Sequence, residues 1–180
     1  ARNIEQVSSN WSGGAVGSGQ INRGHSDNSP ASAIAADAND ANACSGTGQS
    51  CSDVFWHDQR RTHVLSNGEV IWDFAGNVAE WTRDNNADLS ISVALRSNWN
   101  WYEFNELVQS DRDLFGPSNA TRTSAKGIGK IYGGNAGAVV RGGFWNASVD
   151  NSGIFATTLG VPPLDMYTHP FYGFRCVWNP

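Results

Sequence analysis

Three kinds of side chain in this sequence have the chemistry to act on a substrate or hold an ion: thiols, imidazoles and clustered carboxylates. The thiols are Cys44, Cys51 and Cys176. Thiolates attack electrophiles, ligate soft metals or pair as disulfides. Cys44 and Cys51 lie seven apart in the turn-rich run Ala43-Cys44-Ser45-Gly46-Thr47-Gly48-Gln49-Ser50-Cys51, which can close a small disulfide loop in an oxidising setting. Cys176 is left over and reads as a buried thiol behaving as a small hydrophobe. A zinc site would need a fourth ligand at suitable spacing, and His25, His57, His63 and His169 are dispersed. His57-Asp58 and His63 offer a base, but no Ser or Cys elbow accompanies them, which argues against hydrolase chemistry. Asp84-Asn85-Asn86-Ala87-Asp88 clusters oxygen ligands of the kind Ca²⁺ takes, yet Asx-rich turns arise from the same residues without metal. The residues therefore point to no catalytic group, no metal and no cofactor.

These side chains must be held by a fold, and the composition bounds it. With 180 residues, 39% hydrophobic content and eight Trp, the chain is long and apolar enough to bury a core as one domain spanning residues 1–180. The formal net charge is −5 and Lys plus Arg total 12, scattered apart from Arg60-Arg61, so nothing forms the basic stripe that nucleic-acid binding requires. No apolar run approaches the roughly 20 residues of a membrane span, and Ala1-Arg2-Asn3 opens no signal-peptide core, which makes a soluble chain the expectation.

Residues 1–54 are rich in Gly, Ser, Asn, Asp and Ala and read as loops, with a short helix at 30–43 capped by Asn28 or Ser29 and opened by Pro30. Residues 62–65 and 69–73 read as strands joined by the Ser66-Asn67-Gly68 turn, an Asn-Gly hairpin signal. Further short strands are expected at 76–82, 139–143 and 173–178, with a helix at 103–109 inside a polar, irregular stretch. Short strands between long loops predict an α+β domain with little regular structure.

Three segments in order carry a family resemblance. Gly76-Asn77-Val78-Ala79-Glu80-Trp81, Arg141-Gly142-Gly143-Phe144-Trp145 and Gly173-Phe174-Arg175-Cys176 resemble blocks of the C-type-lectin-like fold found in the formylglycine-generating-enzyme group. Ala79 departs from the pattern, which usually carries Trp there. The resemblance implies a scaffold of Trp72, Trp81, Arg141, Gly142, Gly143, Trp145, Gly173, Phe174 and Arg175, with Arg175 pairing with a carboxylate or carbonyls below the surface. The oxidases of that group hold copper on paired Cys between the second and third blocks, and residues 144–172 contain no Cys. The Glu-Pro-Asn or Gln-Pro-Asp triplet of sugar-binding lectins is missing as well.

Within that fold the chain is most similar to the variable proteins of diversity-generating retroelements, through residues 23–30, residues 59–68 and the closing framework of Arg141, Gly142, Gly143, Trp145, Gly153, Ile154, Phe155 and Leu159. The resemblance implies a fixed frame around a diversified C-terminal region, 141–176, written by mutating adenines of a template. Targeted Asn codons of the form AAC keep their third base, and codons ending in C encode no Lys, Glu, Gln, Trp or Met. Residues 146–172 contain none of the first four and a single Met, Met166.

The implied ligand-binding positions are Phe144, Asn146, Ser148, Asp150, Thr158, Gly160, Val161, Asp165, Tyr167, Thr168, His169, Phe171 and Tyr172. Aromatic side chains there provide rigid contact area and the small polar ones adaptable hydrogen bonds. The expected function is non-catalytic recognition of a macromolecule, a protein on a host or neighbouring cell, by a chain displayed on a virion or cell surface. The alternative is an oxidase or pseudoenzyme of the formylglycine-generating type. Sequons at Asn10, Asn119 and Asn146 are expected to stay unmodified.

Overall fold

A computed structural model describes residues 1–35, 43–47, 60–162 and 169–175. The Asn-Gly turn closes the hairpin the sequence predicts. Strands β1 (Thr62–Val64) and β2 (Val70–Trp72) pair antiparallel, with His63 opposite Ile71. The Leu65 amide donates to the Glu69 carbonyl at 2.8 Å and the Gly68 amide to the Leu65 carbonyl at 2.9 Å.

The larger sheet has six strands: β3 (Ala79–Asn85), β4 (Trp101–Tyr102), β5 (Ile131–Tyr132), β6 (Ala138–Arg141), β7 (Thr157–Val161) and β8 (Tyr172–Gly173). Their spatial order is β4-β5-β7-β6-β3-β8. The β5/β7 and β3/β8 pairs run parallel and the rest antiparallel. Among the described residues helices are few and short: α1 (Arg2–Glu5), α2 (Val93–Ser97) and α3 (Gln109–Phe115), with 3-10 turns between. This is the α+β, C-type-lectin-like architecture, with short strands and long irregular loops.

The inner face of the six-stranded sheet carries the core. Ile131, Val139 and Leu159 point inward, and Ile4, Trp11, Ile21, Leu95, Phe104, Ile128 and Phe155 pack with them. Phe104 meets Phe155 edge to face at 6.1 Å. Two ion pairs tie the irregular N-terminal part to this core. Glu5, fully buried, pairs with Arg122, whose guanidinium also lies 4.8 Å from the Trp11 ring centroid. Arg61, also fully buried, donates to both carboxylate oxygens of Asp73, at 2.8 and 2.7 Å, and to the Ser45 carbonyl at 3.0 Å. A buried charge is tolerable only when paired in this way.

Three elements differ from the sequence reading; of the strand expected at 173–178, only Gly173 pairs among the described residues, which end at Arg175. Residues 30–32 form bends and 33–35 are irregular, not the start of a helix; residues 36–42 lie outside the described ones. The cause is a distant side chain: Asn77 accepts from the Ile34 amide at 2.7 Å and donates to the Ile34 carbonyl at 2.8 Å, taking groups a helix would need. The helix expected at 103–109 is split. Glu103 and Glu106 form a capping box around a 3-10 turn, Phe104–Glu106, and α3 starts only at Gln109.

Candidate functional site

The outer face of the six-stranded sheet is built by strand alternation, since residues opposite one another across a ladder share a face. Ala79 and Trp81 of β3, Val140 of β6 and Tyr172 of β8 lie there, with Val161 of β7 and the neighbouring Phe144 packed against them. The segment at 142–145 reaches this face because Gly142 and Gly143 take positive φ, 93° and 77°. A Cβ on Gly143 would sit 2.3 Å from the Ser152 hydroxyl, so the turn admits no side chain.

Aromatic rings from both ends of residues 144–172 meet on this face. Phe144 stacks on Phe171 with centroids 4.6 Å apart and planes at 22°. His169 lies 5.1 Å from Phe171 and 6.0 Å from Tyr172, Trp145 lies 5.1 Å from Phe171, and Tyr172 lies 5.1 Å from Trp81. Phe144, Phe171 and Tyr172 are half-buried and His169 is exposed, so the cluster is held from below and open above. Asn146, Ser148 and Asp150 are exposed beside it, and Thr158 is half-buried. Asp165, Tyr167 and Thr168 lie outside the described residues.

Two expected surface positions are corrected. Gly160 and Val161 are buried. Gly160 has φ +70°, and a Cβ there would meet the Asn135 carbonyl oxygen at 2.3 Å. The β6/β7 register shifts beside this glycine, and Val161 packs beneath the aromatic cluster. Both therefore support the face from below.

The scaffold residues divide in the same way. Arg175 donates to Glu80 Oε1 at 2.9 and 2.7 Å and to the Trp72 carbonyl at 2.7 Å, joining β3, the hairpin and the C-terminal strand as the sequence implies. Trp145 is buried, while Trp72 and Trp81 are only half-buried. The Trp72 ring lies under the Arg61 guanidinium at 5.3 Å. Arg141 faces inward opposite Glu80 and Thr157; burial lowers its pKa, and Asp84 opposes that shift. Phe174, taken as scaffold, is 79% exposed: it follows the two-residue edge strand β8, beyond the last strand pair, and no described element covers it.

Several of the groups that suggested chemistry are otherwise engaged. Asn86 is fully buried and bonds the main chain of residues 134–137, its Oδ1 accepting from the Gly137 amide at 2.7 Å. His63 is fully buried, with Nε2 3.3 Å from the Asn22 carbonyl, and burial lowers its pKa to about 4. Asn10, the first sequon residue, is buried with its amide bonded to the Ile4 and Val64 carbonyls. Cys44 is disulfide-bonded, and Cys51, Cys176, His57 and Asp58 lie outside the described residues. Among the described residues no group of three or more His, Cys, Asp or Glu could hold a metal ion, and no helix is long and apolar enough to cross a membrane.

The sequence reading missed a second set of rings, Trp99, Trp101 and Tyr132, because it found neither β4 nor β5. Trp101 lies 4.9 Å and Trp99 6.1 Å from Tyr132. The run Trp99-Asn100-Trp101-Tyr102 was the available signal, since aromatic density favours a strand.

The architecture defines a C-type-lectin-like domain presenting one aromatic sheet face. The family model for the sulfatase-modifying factor enzyme 1-like domain matches residues 9–180, and the chain belongs to that family, in which oxidases are typical. Comparison with curated proteins and with solved structures finds no match.

Proposed function

We propose that this chain is a non-catalytic ligand-binding protein whose outer sheet face, diversified by a retroelement reverse transcriptase, recognises a macromolecule, a protein on a host or neighbouring cell. One observation carries the reading. Phe144, His169, Phe171 and Tyr172 come from the two ends of the stretch between the Arg-Gly-Gly and Gly-Phe-Arg blocks, and they converge as one half-exposed aromatic cluster. Rigid aromatic anchors ringed by Asn146, Ser148 and Asp150 have the composition of a paratope. Held from beneath, they lose little conformational entropy on binding. On this reading residues 1–180 act as one domain displayed on a virion or cell surface, with no nucleic-acid partner, no cofactor and no insertion into a membrane.

The test is sequencing of the locus and its population for a nearby reverse transcriptase and a second copy of the DNA for residues 141–176 that differs only at adenines. Finding both establishes the reading position by position; finding neither removes it.

Family membership favours a second reading, an oxidase of the formylglycine-generating type or its inactive relative. Residues 144–172 lack the paired Cys that the resemblance requires for copper. Tight copper(I) binding with oxidation of a Cys-containing peptide would support that reading against the first.

A further inference from the structure

The sequons at Asn10, Asn119 and Asn146 are expected from sequence alone to stay unmodified, and the structure separates them. Asn10 is buried, and its side-chain nitrogen donates to the Ile4 and Val64 carbonyls, so in the folded chain it is closed to an enzyme. Asn146 is exposed, but among the described residues no hydrogen bond joins it to the Ser148 hydroxyl. Asn119 combines exposure with that bond. It lies in the loop after α3, and its Oδ1 accepts from the Thr121 amide at 3.0 Å and from the Thr121 hydroxyl at 2.8 Å. A main-chain N–H can only donate, so the atom facing it must be the oxygen, and the planar carboxamide then turns Nδ2 away from the backbone towards solvent. Two donors on Oδ1 also draw charge from the nitrogen and make its N–H more acidic.

We propose that Asn119 is an acceptor site for an N-linked oligosaccharide, with Thr121 as its positioning residue. Asn119-Ala120-Thr121 has the residue types that such a transfer requires. The donor class is an oligosaccharide carried on a polyprenyl diphosphate. Nδ2 attacks C1 of the first sugar, and the N–C1 bond forms as the C1–O bond to the diphosphate breaks. The lipid diphosphate leaves with the bonding pair, and one carboxamide proton passes to a base of the transferase. This chemistry takes place outside the cytosol, and an independent feature agrees with that setting: Cys44 is disulfide-bonded, and disulfides persist in oxidising compartments.

The loop is anchored on both sides of the site. The Ser118 amide donates to Glu5 at 2.8 Å, the Gln6 carboxamide donates to the Ser118 hydroxyl at 2.8 Å, and Arg122 pairs with Glu5. Glu5 and Gln6 belong to the N-terminal part, which packs on the inner face of the sheet through Ile4 and Trp11. A glycan at Asn119 therefore leaves from the core side of the sheet, and the outer face with the Phe144 cluster stays open. The assignment stands whether or not that face is diversified.

The experiment secretes the full chain from cultured eukaryotic cells behind a cleavable signal peptide. Intact mass and glycopeptides are read before and after peptide-N-glycanase, which leaves Asp in place of the modified Asn. The expected result is a single glycan, at Asn119. Asn119→Gln and Thr121→Val should abolish it, Thr121→Ser should retain it, and Asn146→Gln should leave it unchanged. Thermal melts of the enzyme-treated parent and of Asn119→Gln should coincide, because an exposed side chain contributes little to stability. If the chain is retained in the cells, the same masses are read on the retained material. A chain bare at Asn119, whatever it carries at Asn10 or Asn146, or a glycan that survives Thr121→Val, would overturn the assignment. Locus sequencing bears on diversification alone, so the two claims fail separately.

Discussion

His63 and Glu80 show how single side chains set the chain's response to pH and to substitution. His63 is fully buried and neutral in the fold, its pKa lowered from 6.5 to about 4 by burial. The unfolded chain takes up this proton near pH 6.5 and the folded chain only near pH 4, so the unfolded state binds more protons between those values. Stability from this residue is therefore complete above pH 6.5 and falls as pH drops towards 4, by up to about 3 kcal/mol. Thermal melts of the parent and His63→Leu between pH 7 and 4 check this; the variant should lose less of its stability over that window. Glu80 is the carboxylate that receives Arg175. Glu80→Ala leaves that guanidinium with the Trp72 carbonyl as its remaining acceptor among the described residues, and a loss of roughly 1–3 kcal/mol is expected in denaturant titration, with Glu80→Gln losing less.

At the scale of elements, β7 is the part most dependent on its neighbours. Thr157–Val161 has a glycine in its fourth position and sits between β5 and β6, pairing parallel with one and antiparallel with the other. Gly160→Ala adds a Cβ at φ +70° against the Asn135 carbonyl, and such strain costs on the order of 2–3 kcal/mol. A melting temperature unchanged by that substitution would contradict the register shift described here. The 3-10 turn Phe104–Glu106 depends on Glu103, whose carboxylate also accepts from the Ser124 amide at 2.8 Å. Glu103→Ala frees the turn and the 124–126 loop together, with about 1–2 kcal/mol lost in the same assay.

At the scale of the whole molecule, the core and the outer face are separate layers of one sheet, so the outer face can change without disturbing the fold. Joint substitution of exposed Asn146, Ser148 and Asp150 by other polar residues should leave stability within about 0.5 kcal/mol per site, read from chemical denaturation. The 62–73 hairpin was legible in the sequence because Asn67-Gly68 and the flanking β-branched residues act locally. Arg175 was legible through its place in a fixed block. The inward and outward sides of residues 157–161 were not, because Gly160 shifts the strand and only the pairing of β7 with β5 and β6 says which side chains face water. The non-helical backbone at 30–35, where the sequence predicts a helix start, follows from Asn77, a partner 43 positions from Ile34 along the chain. Turns, blocks and residue types depend on neighbours in sequence, so the sequence alone determined the hairpin, the family and the blocks that frame residues 144–172. Burial and register depend on partners distant in the chain, so only the tertiary structure decided that Gly160 and Val161 lie beneath the surface and that Trp101 and Tyr132 share a sheet face with Val140 and Trp81.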